Sequence, residues 1–243
     1  MGKLFVIGIG PGKHSGMTME ADMALKESDV LVGYRTYMDL IKEEYPDKEF
    51  FSTPMKQEIE RCKEALRLAE NGKNVSMICS GDSGVYGMAS PILQLLSDYR
   101  EVEIAILPGV SAALSGGALL GAPLSHDFCV ISLSDLLTPR EVIEQRLKGA
   151  ALGDFCIAIY NPSSHKRGDY LAKACDILLE TKSENTVCGF VKNIGRDGEE
   201  KRILSLKELR NTQVDMFTTV FIGNRNTYAE NGFMITPRGY RMD

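Results

Sequence analysis

The sequence predicts an α/β protein of two domains, and three observations carry that prediction. Before Gly121, a short apolar run passes through a glycine turn into a helical pattern three times over. The breaker Gly121-Ala122-Pro123 then interrupts the chain, and the same alternation restarts beyond it. Finally, 243 residues exceed the roughly 150 of one ordinary domain. The expected domains are residues 1–123 and 124–243, each with a mixed, largely parallel sheet and flanking helices.

The elements follow in order. Lys3 to Ile9 reads as a buried central strand, Thr18 as the cap of a helix through Lys26, and Asp29 to Gly33 as a second buried strand. Thr53-Pro54 reads as a cap with proline in the first turn. Ile59, Cys62, Leu66 and Ala69 then repeat at helical spacing until Asn71-Gly72. Val75 to Cys79 is a strand, Ser80 to Gly84 a turn and Val85 to Leu96 a helix. Ile104 to Leu107 is a strand closed by Pro108-Gly109 before a small-residue helix through Leu120. In the second half, strands are expected at Phe128 to Leu133, Phe155 to Tyr160, Val187 to Lys192 and Thr218 to Ile222. A capping box at Thr138 to Glu141 starts one helix, Arg167 to Thr181 forms another, and Arg196 to Lys201 is a hairpin tip.

Composition narrows the function. Hydrophobic residues make up 44% and charged residues 25%, with a net charge of −5, so a broad basic field for nucleic acid or membrane is absent. No apolar run is long enough to span a bilayer, and the amino terminus reads as a strand rather than a leader, which implies a soluble, cytoplasmic protein. The six cysteines stand singly with no histidine spaced to complete a zinc site, so no protein-bound metal is expected.

The chemistry concentrates in turns after strands. Gly8-Ile9-Gly10-Pro11-Gly12 invites a dinucleotide reading, because close backbone approach to a ligand needs glycine. Lys13 at the third fingerprint position, the amide lost at Pro11, and Gly33-Tyr34 where a ribose-binding acid belongs all exclude it. Ser80-Gly81-Asp82-Ser83-Gly84-Val85-Tyr86 presents amides and the Asp82 carboxylate, either to a ribose or amino group or as a helix cap. Pro108-Gly109-Val110-Ser111-Ala112-Ala113 offers small side chains, suited to a flat adenine or to close helix packing. Tyr160-Asn161-Pro162 and Asn193-Ile194-Gly195-Arg196 place polar groups after later strands.

Together these segments resemble the tetrapyrrole methylase family over the full chain. More narrowly GIGPG, SGDSGVYGMA, PGVSAA, LSDLLTP, YNPSS with Lys166-Arg167, KNIGRDGE, VDMFTTVFIGN and ITPRGY resemble the precorrin-3B (cobalt-factor III) C17-methyltransferases of cobalamin biosynthesis. Arg140 stands where that group usually carries tryptophan. The resemblance implies two α/β domains with the active site in the cleft between them, S-adenosyl-L-methionine as methyl donor, a tetrapyrrole substrate, ring contraction and a homodimer. It places the cofactor against Gly10, Pro11, Gly12, Ser80, Gly81, Asp82, Val85, Tyr86, Ser111, Ala112, Ala113, Tyr160, Asn161, Gly189 and Thr219. For a substrate bearing several carboxylates, Arg35, Lys56, Arg140, Lys166, Arg167, Arg196 and Arg238 stand at motif edges. His14 and Asp82 are the candidate catalytic residues, and His126 is the other imidazole near a site segment. The alternatives are a tetrapyrrole methylase acting at another ring carbon and a non-catalytic tetrapyrrole carrier.

Overall fold

The computed structural model describes residues 2–54, 56–164 and 168–241. The chain divides into two compact units, Met1–Ala112 and Ala113–Asp243. The expected boundary at residue 123 instead falls just past a helix of the second unit.

The first unit holds strands β1 (Gly2–Gly8), β2 (Val30–Tyr34), β3 (Glu49–Thr53), β4 (Val75–Cys79) and β5 (Val102–Leu107). They form one sheet in the order β3-β2-β4-β1-β5. Every pairing is parallel, so all five carboxyl ends lie along one edge. Helices α1 (Met19–Glu27), α2 (Arg35–Met38), α3 (Glu58–Glu70) and α4 (Ala89–Leu95) cover it. Alternate strand residues bury into two different cores. Leu4, Val6, Val32 and Met77 pack with Leu66 of α3 and Ile92 of α4, while Phe5, Ile7, Leu31 and Ile78 pack with Leu25 of α1 and Met38 of α2.

The second unit begins with α5 (Ala112–Leu120), counting its first residue from the unit before, and continues through β6 (Gly121–Ala122), β7 (Phe128–Ser132), α6 (Arg140–Leu152), β8 (Cys156–Tyr160) and α7 (Tyr170–Leu179). It closes with β9 (Val187–Lys192), β10 (Glu200–Ser205), α8 (Leu206–Arg210), β11 (Thr218–Ile222), β12 (Tyr228–Glu230) and β13 (Phe233–Ile235). Its main sheet runs β10-β9-β11-β8-β7, and a small sheet runs β12-β13-β6. In the main sheet only β7 and β8 pair in parallel; the other three pairings are antiparallel. Connection length accounts for one of these, since the short loop from Lys192 to Glu200 is a hairpin, which can only return antiparallel. Gly116 of α5 lies against Ile194 and Phe221, and Gly189 of β9 lies against Leu120, which is why α5 belongs to this unit.

Three expected helix starts shift. Thr53 does not cap α3, because it is still strand residue, paired with Tyr34, and its Oγ1 accepts a 2.7 Å hydrogen bond from Arg61. The helix begins at Glu58 after Gln57, which makes no side-chain cap. The α4 helix begins at Ala89 rather than Val85, because Tyr86 is left-handed (φ 56°) and Asp82 holds the Gly84 and Val85 amides in a turn. Helix α6 starts at Arg140 with Pro139 itself as N-cap, and the Thr138 capping box does not form. A capping box does form where none was expected, between Ser205 and Glu208 of α8. The expected start of α7 at Arg167 lies outside the described residues, and the helix is described from Tyr170.

Candidate active site

Three turns converge at the carboxyl edge of the first unit's sheet. The chain leaving β1 meets the chain leaving β4 through an isolated antiparallel bridge, with Gly10 N donating to Gly81 O at 3.0 Å and Gly81 N to Gly10 O at 2.7 Å. Both glycines are left-handed, φ 75° and 70°, a region other residues enter only at a cost. Gly8, Gly81 and Gly109 are in backbone contact: a Cβ on Gly109 would sit 2.1 Å from Gly81 O, and one on Gly8 would sit 2.6 Å from Gly109 N. Glycine is therefore dictated at Gly8 and Gly109 by the neighbouring backbone.

Asp82 locks this arrangement. Its Oδ1 accepts from Gly84 N at 2.8 Å and Val85 N at 3.0 Å, and its Oδ2 accepts from Gly109 N at 2.9 Å. One carboxylate thus ties the turn after β4 to the turn after β5. Buried Ser83 adds a second tie, its hydroxyl donating to Leu107 O at 2.8 Å. Gly12 and Ser111 are buried, Pro11, Ser80 and Ala112 are half-buried, and Val85 and Tyr86 are exposed on the rim.

His14 lies on a 3-10 turn (His14–Gly16) directly after Gly10 to Gly12. Its Nε2 bonds Asp22 Oδ1 at 3.0 Å, and its ring meets Tyr45 edge-on, centroids 6.3 Å apart. Asp22 also accepts from Lys26 Nζ at 2.6 Å and Tyr45 Oη at 2.6 Å. These partners, Lys26 first and then Tyr45, hold the Asp22 carboxyl well below the usual carboxylate range. Burial first, then the hydrogen bond to Asp22, pushes the Tyr45 phenol far up. His126 is different: its Nδ1 accepts from the neighbouring Asp127 amide at 2.8 Å on an exposed turn.

In the second unit, Ala113 N donates to Tyr160 Oη at 2.8 Å, which joins the start of α5 to the end of β8. Asn161 is left-handed (φ 52°), and its Nδ2 donates to Ser132 Oγ at 2.9 Å. Thr219 is buried within β11. Gly189 owes its identity to Leu120, whose Cδ1 stands 2.8 Å from where a Cβ would be. Packing therefore accounts for that glycine.

The candidate substrate cations divide. Arg140 is engaged by Glu144 at 2.8 Å and packs its guanidinium 5.4 Å over the Tyr170 ring. Arg196 sits in the β9–β10 hairpin loop, and Arg238 lies over the exposed Tyr240 ring at 5.7 Å. Arg35 and Lys56 follow the ends of β2 and β3 and form no ion pair among the described residues. Lys166 and Arg167 lie outside the described residues. Sequence reasoning named the turns that hold Gly8, Ser83 and Gly109, but not the contacts among them: Gly8 against Gly109, Gly109 against Gly81, and the Ser83 hydroxyl on Leu107 O.

Comparison with known proteins places this geometry. The family described as Tetrapyrrole (Corrin/Porphyrin) Methylases matches residues 3–210. A probable cobalt-factor III C(17)-methyltransferase of Salmonella typhimurium is 50% identical over 98% of this chain and 100% of its own length. A precorrin-3B C(17)-methyltransferase of Sinorhizobium is 36% identical over 98% and 97%. Among solved structures, the methyltransferase CobJ aligns with a TM-score of 0.90 at 35% identity, covering 98% of this chain and 100% of CobJ. A Thermus thermophilus uroporphyrin-III C-methyltransferase complexed with S-adenosyl homocysteine shares the fold, with a TM-score of 0.72 at 22% identity over 91% and 92%. The chain belongs to the tetrapyrrole methylases.

Proposed function

We propose that this protein transfers a methyl group from S-adenosylmethionine to C17 of precorrin-3B or cobalt-factor III and promotes contraction of the ring, in the cytoplasm and as a homodimer. The observation that carries the reading is the platform of three glycine turns tied by Asp82, in a chain half identical to a relative named for that reaction.

The glycine turns after β1, β4 and β5 bring main chain together at one edge of the sheet, and the left-handed Gly10 and Gly81 carry no side chain that would keep a ligand off the backbone. S-adenosylmethionine brings a methyl group already activated on its sulfonium. The protein therefore needs no nucleophile and no metal-bound hydroxide. Its work is alignment and the exclusion of water, and alignment can lower a barrier by roughly 7–11 kcal/mol. Backbone around Gly10 to Gly12, Gly81, Ser111 and Ala112 holds the donor in this reading.

Ring contraction adds proton transfers, and His14 is the group for them in this reading. The Asp22 bond occupies Nε2 and leaves Nδ1 as the nitrogen that exchanges a proton. The direct test incubates the protein with S-adenosylmethionine and either metal-free or cobalt-bearing precursor and follows product mass. A gain of one methyl on one of them is the expected result, and no gain on either defeats the reading. For His14→Ala, methyl transfer should persist while contraction slows by about 10²-fold or more; unchanged rates of both remove His14 from the reaction.

A further inference from the structure

The carboxyl edge of the first sheet holds more than the cofactor platform. The platform occupies β1, β4 and β5, and the next strand in the sheet is β2, paired with β4. Neighbouring strands lie only about 4.8 Å apart, so whatever stands at the end of β2 borders the Ser80 to Asp82 turn. Three residues stand there: Tyr34 ends the strand, and Arg35 and Tyr37 belong to the short α2.

Their arrangement is built rather than loose. Gly33 leaves room for Met38, whose Sδ would lie 2.8 Å from a Cβ at that position, and Met38 is buried in the core. That packing folds α2 back on β2 and holds the two tyrosines, half-buried, with centroids 5.4 Å apart and planes at 85°. Arg35 between them is exposed and forms no ion pair among the described residues. Elsewhere in the chain, Arg67, Arg140, Arg210 and Arg225 each bind a carboxylate.

The geometry points to a substrate subsite made by Tyr34, Arg35 and Tyr37, in which Arg35 grips a peripheral carboxylate of the tetrapyrrole and the tyrosine pair forms an aromatic wall for its apolar ring system. This rests on the function proposed above, and it divides the edge into a cofactor half over β1, β4 and β5 and a substrate half over β2 and β3. A guanidinium offers a carboxylate two parallel donors, and an aromatic pair offers the macrocycle a surface at low entropic cost. Lys56 adds a second cation in the turn that follows β3, the strand paired with β2.

Binding of cobalt-factor III, titrated by absorbance, separates the parts. Arg35→Gln should weaken it about tenfold or more, Arg35→Lys should recover part of the loss, and S-adenosylhomocysteine affinity by calorimetry should stay within about twofold. The methyl-esterified tetrapyrrole should bind wild type and Arg35→Gln alike, because the carboxylate partner is gone. Tyr34→Leu should weaken acid and ester forms equally. Full-strength binding of the acid form by Arg35→Gln overturns the subsite, as does equal loss of tetrapyrrole and S-adenosylhomocysteine. If wild type binds the tetrapyrrole but transfers no methyl, the proposed reaction fails while the subsite is still judged by these titrations. If wild type does not bind it, both fail.

Discussion

Two carboxylates show how one residue can hold a site together. Asp82 satisfies three backbone amides on two turns, so Asp82→Asn must aim its NH2 at one of those N–H groups whichever way the amide is turned. The expected loss is about 1.5–3 kcal/mol in denaturant unfolding, the range of a hydrogen bond to a charged group, with weaker S-adenosylhomocysteine binding. Unchanged stability would mean that the turns hold without it. Asp22 makes a prediction in pH. Its folded pKa is depressed, by Lys26 first and then Tyr45, so the unfolded chain binds more protons as pH falls below the unfolded value of about 3.9. Its contribution is thus complete above that value and disappears as pH falls toward the folded pKa. Asp22→Asn should flatten the acid limb of stability below about pH 4 and leave neutral pH dependence alone. Asp82 was legible in the sequence as a polar residue in a glycine turn. Its partner Gly109 was not, because nothing local says which of two distant turns a carboxylate will reach.

At the scale of elements, glycine identity separates close approach from mere turning. Gly109→Ala would place a Cβ 2.1 Å from the Gly81 carbonyl, backbone that cannot rotate away. The expected cost is about 3 kcal/mol or more, with loss of cofactor binding. Gly149→Ala is the matched control: nothing lies within 4 Å of its Cβ position in α6, and helix propensity should stabilise the protein by up to about 1 kcal/mol. Thermal melting of the two variants reads both, and equal midpoints would refute the crowding argument. Strands such as β4 and helices such as α6 were readable from apolar runs and spacing. Helix starts were not: Thr53 and Thr138 carry the capping residue type, yet strand pairing claims the first and Pro139 replaces the second as the cap. The buried Arg61, which donates to Thr53 Oγ1, decides the first case and lies eight residues away.

For the whole molecule, the six cysteines are free thiols, five of them buried. Burial pushes Cys62 up to about 11 and Cys79 and Cys175 up to about 12, and raises Cys129 and Cys188 as well. A thiol reagent at neutral pH should therefore label native protein slowly, first at half-buried Cys129, and reach all six after denaturation. Rapid native labelling of Cys79, in the first unit's core, or of Cys188, packed with Ile157 and Val220 in the second unit's core, would contradict that burial. Sequence alone settled the α/β class and the longer strands and helices, and it singled out the glycine turns after strands, since these follow from local spacing and from where glycine is required; α2, β3, α8, β12 and β13 were not read from it. The mostly antiparallel pairing of the second sheet, where a largely parallel one was expected, the membership of α5 in the second unit, and the meeting of Gly8, Gly81 and Gly109 waited on the folded chain. Each depends on contacts between segments far apart in sequence, where register, backbone clearance and the reach of one carboxylate are set by packing and leave no local pattern to read.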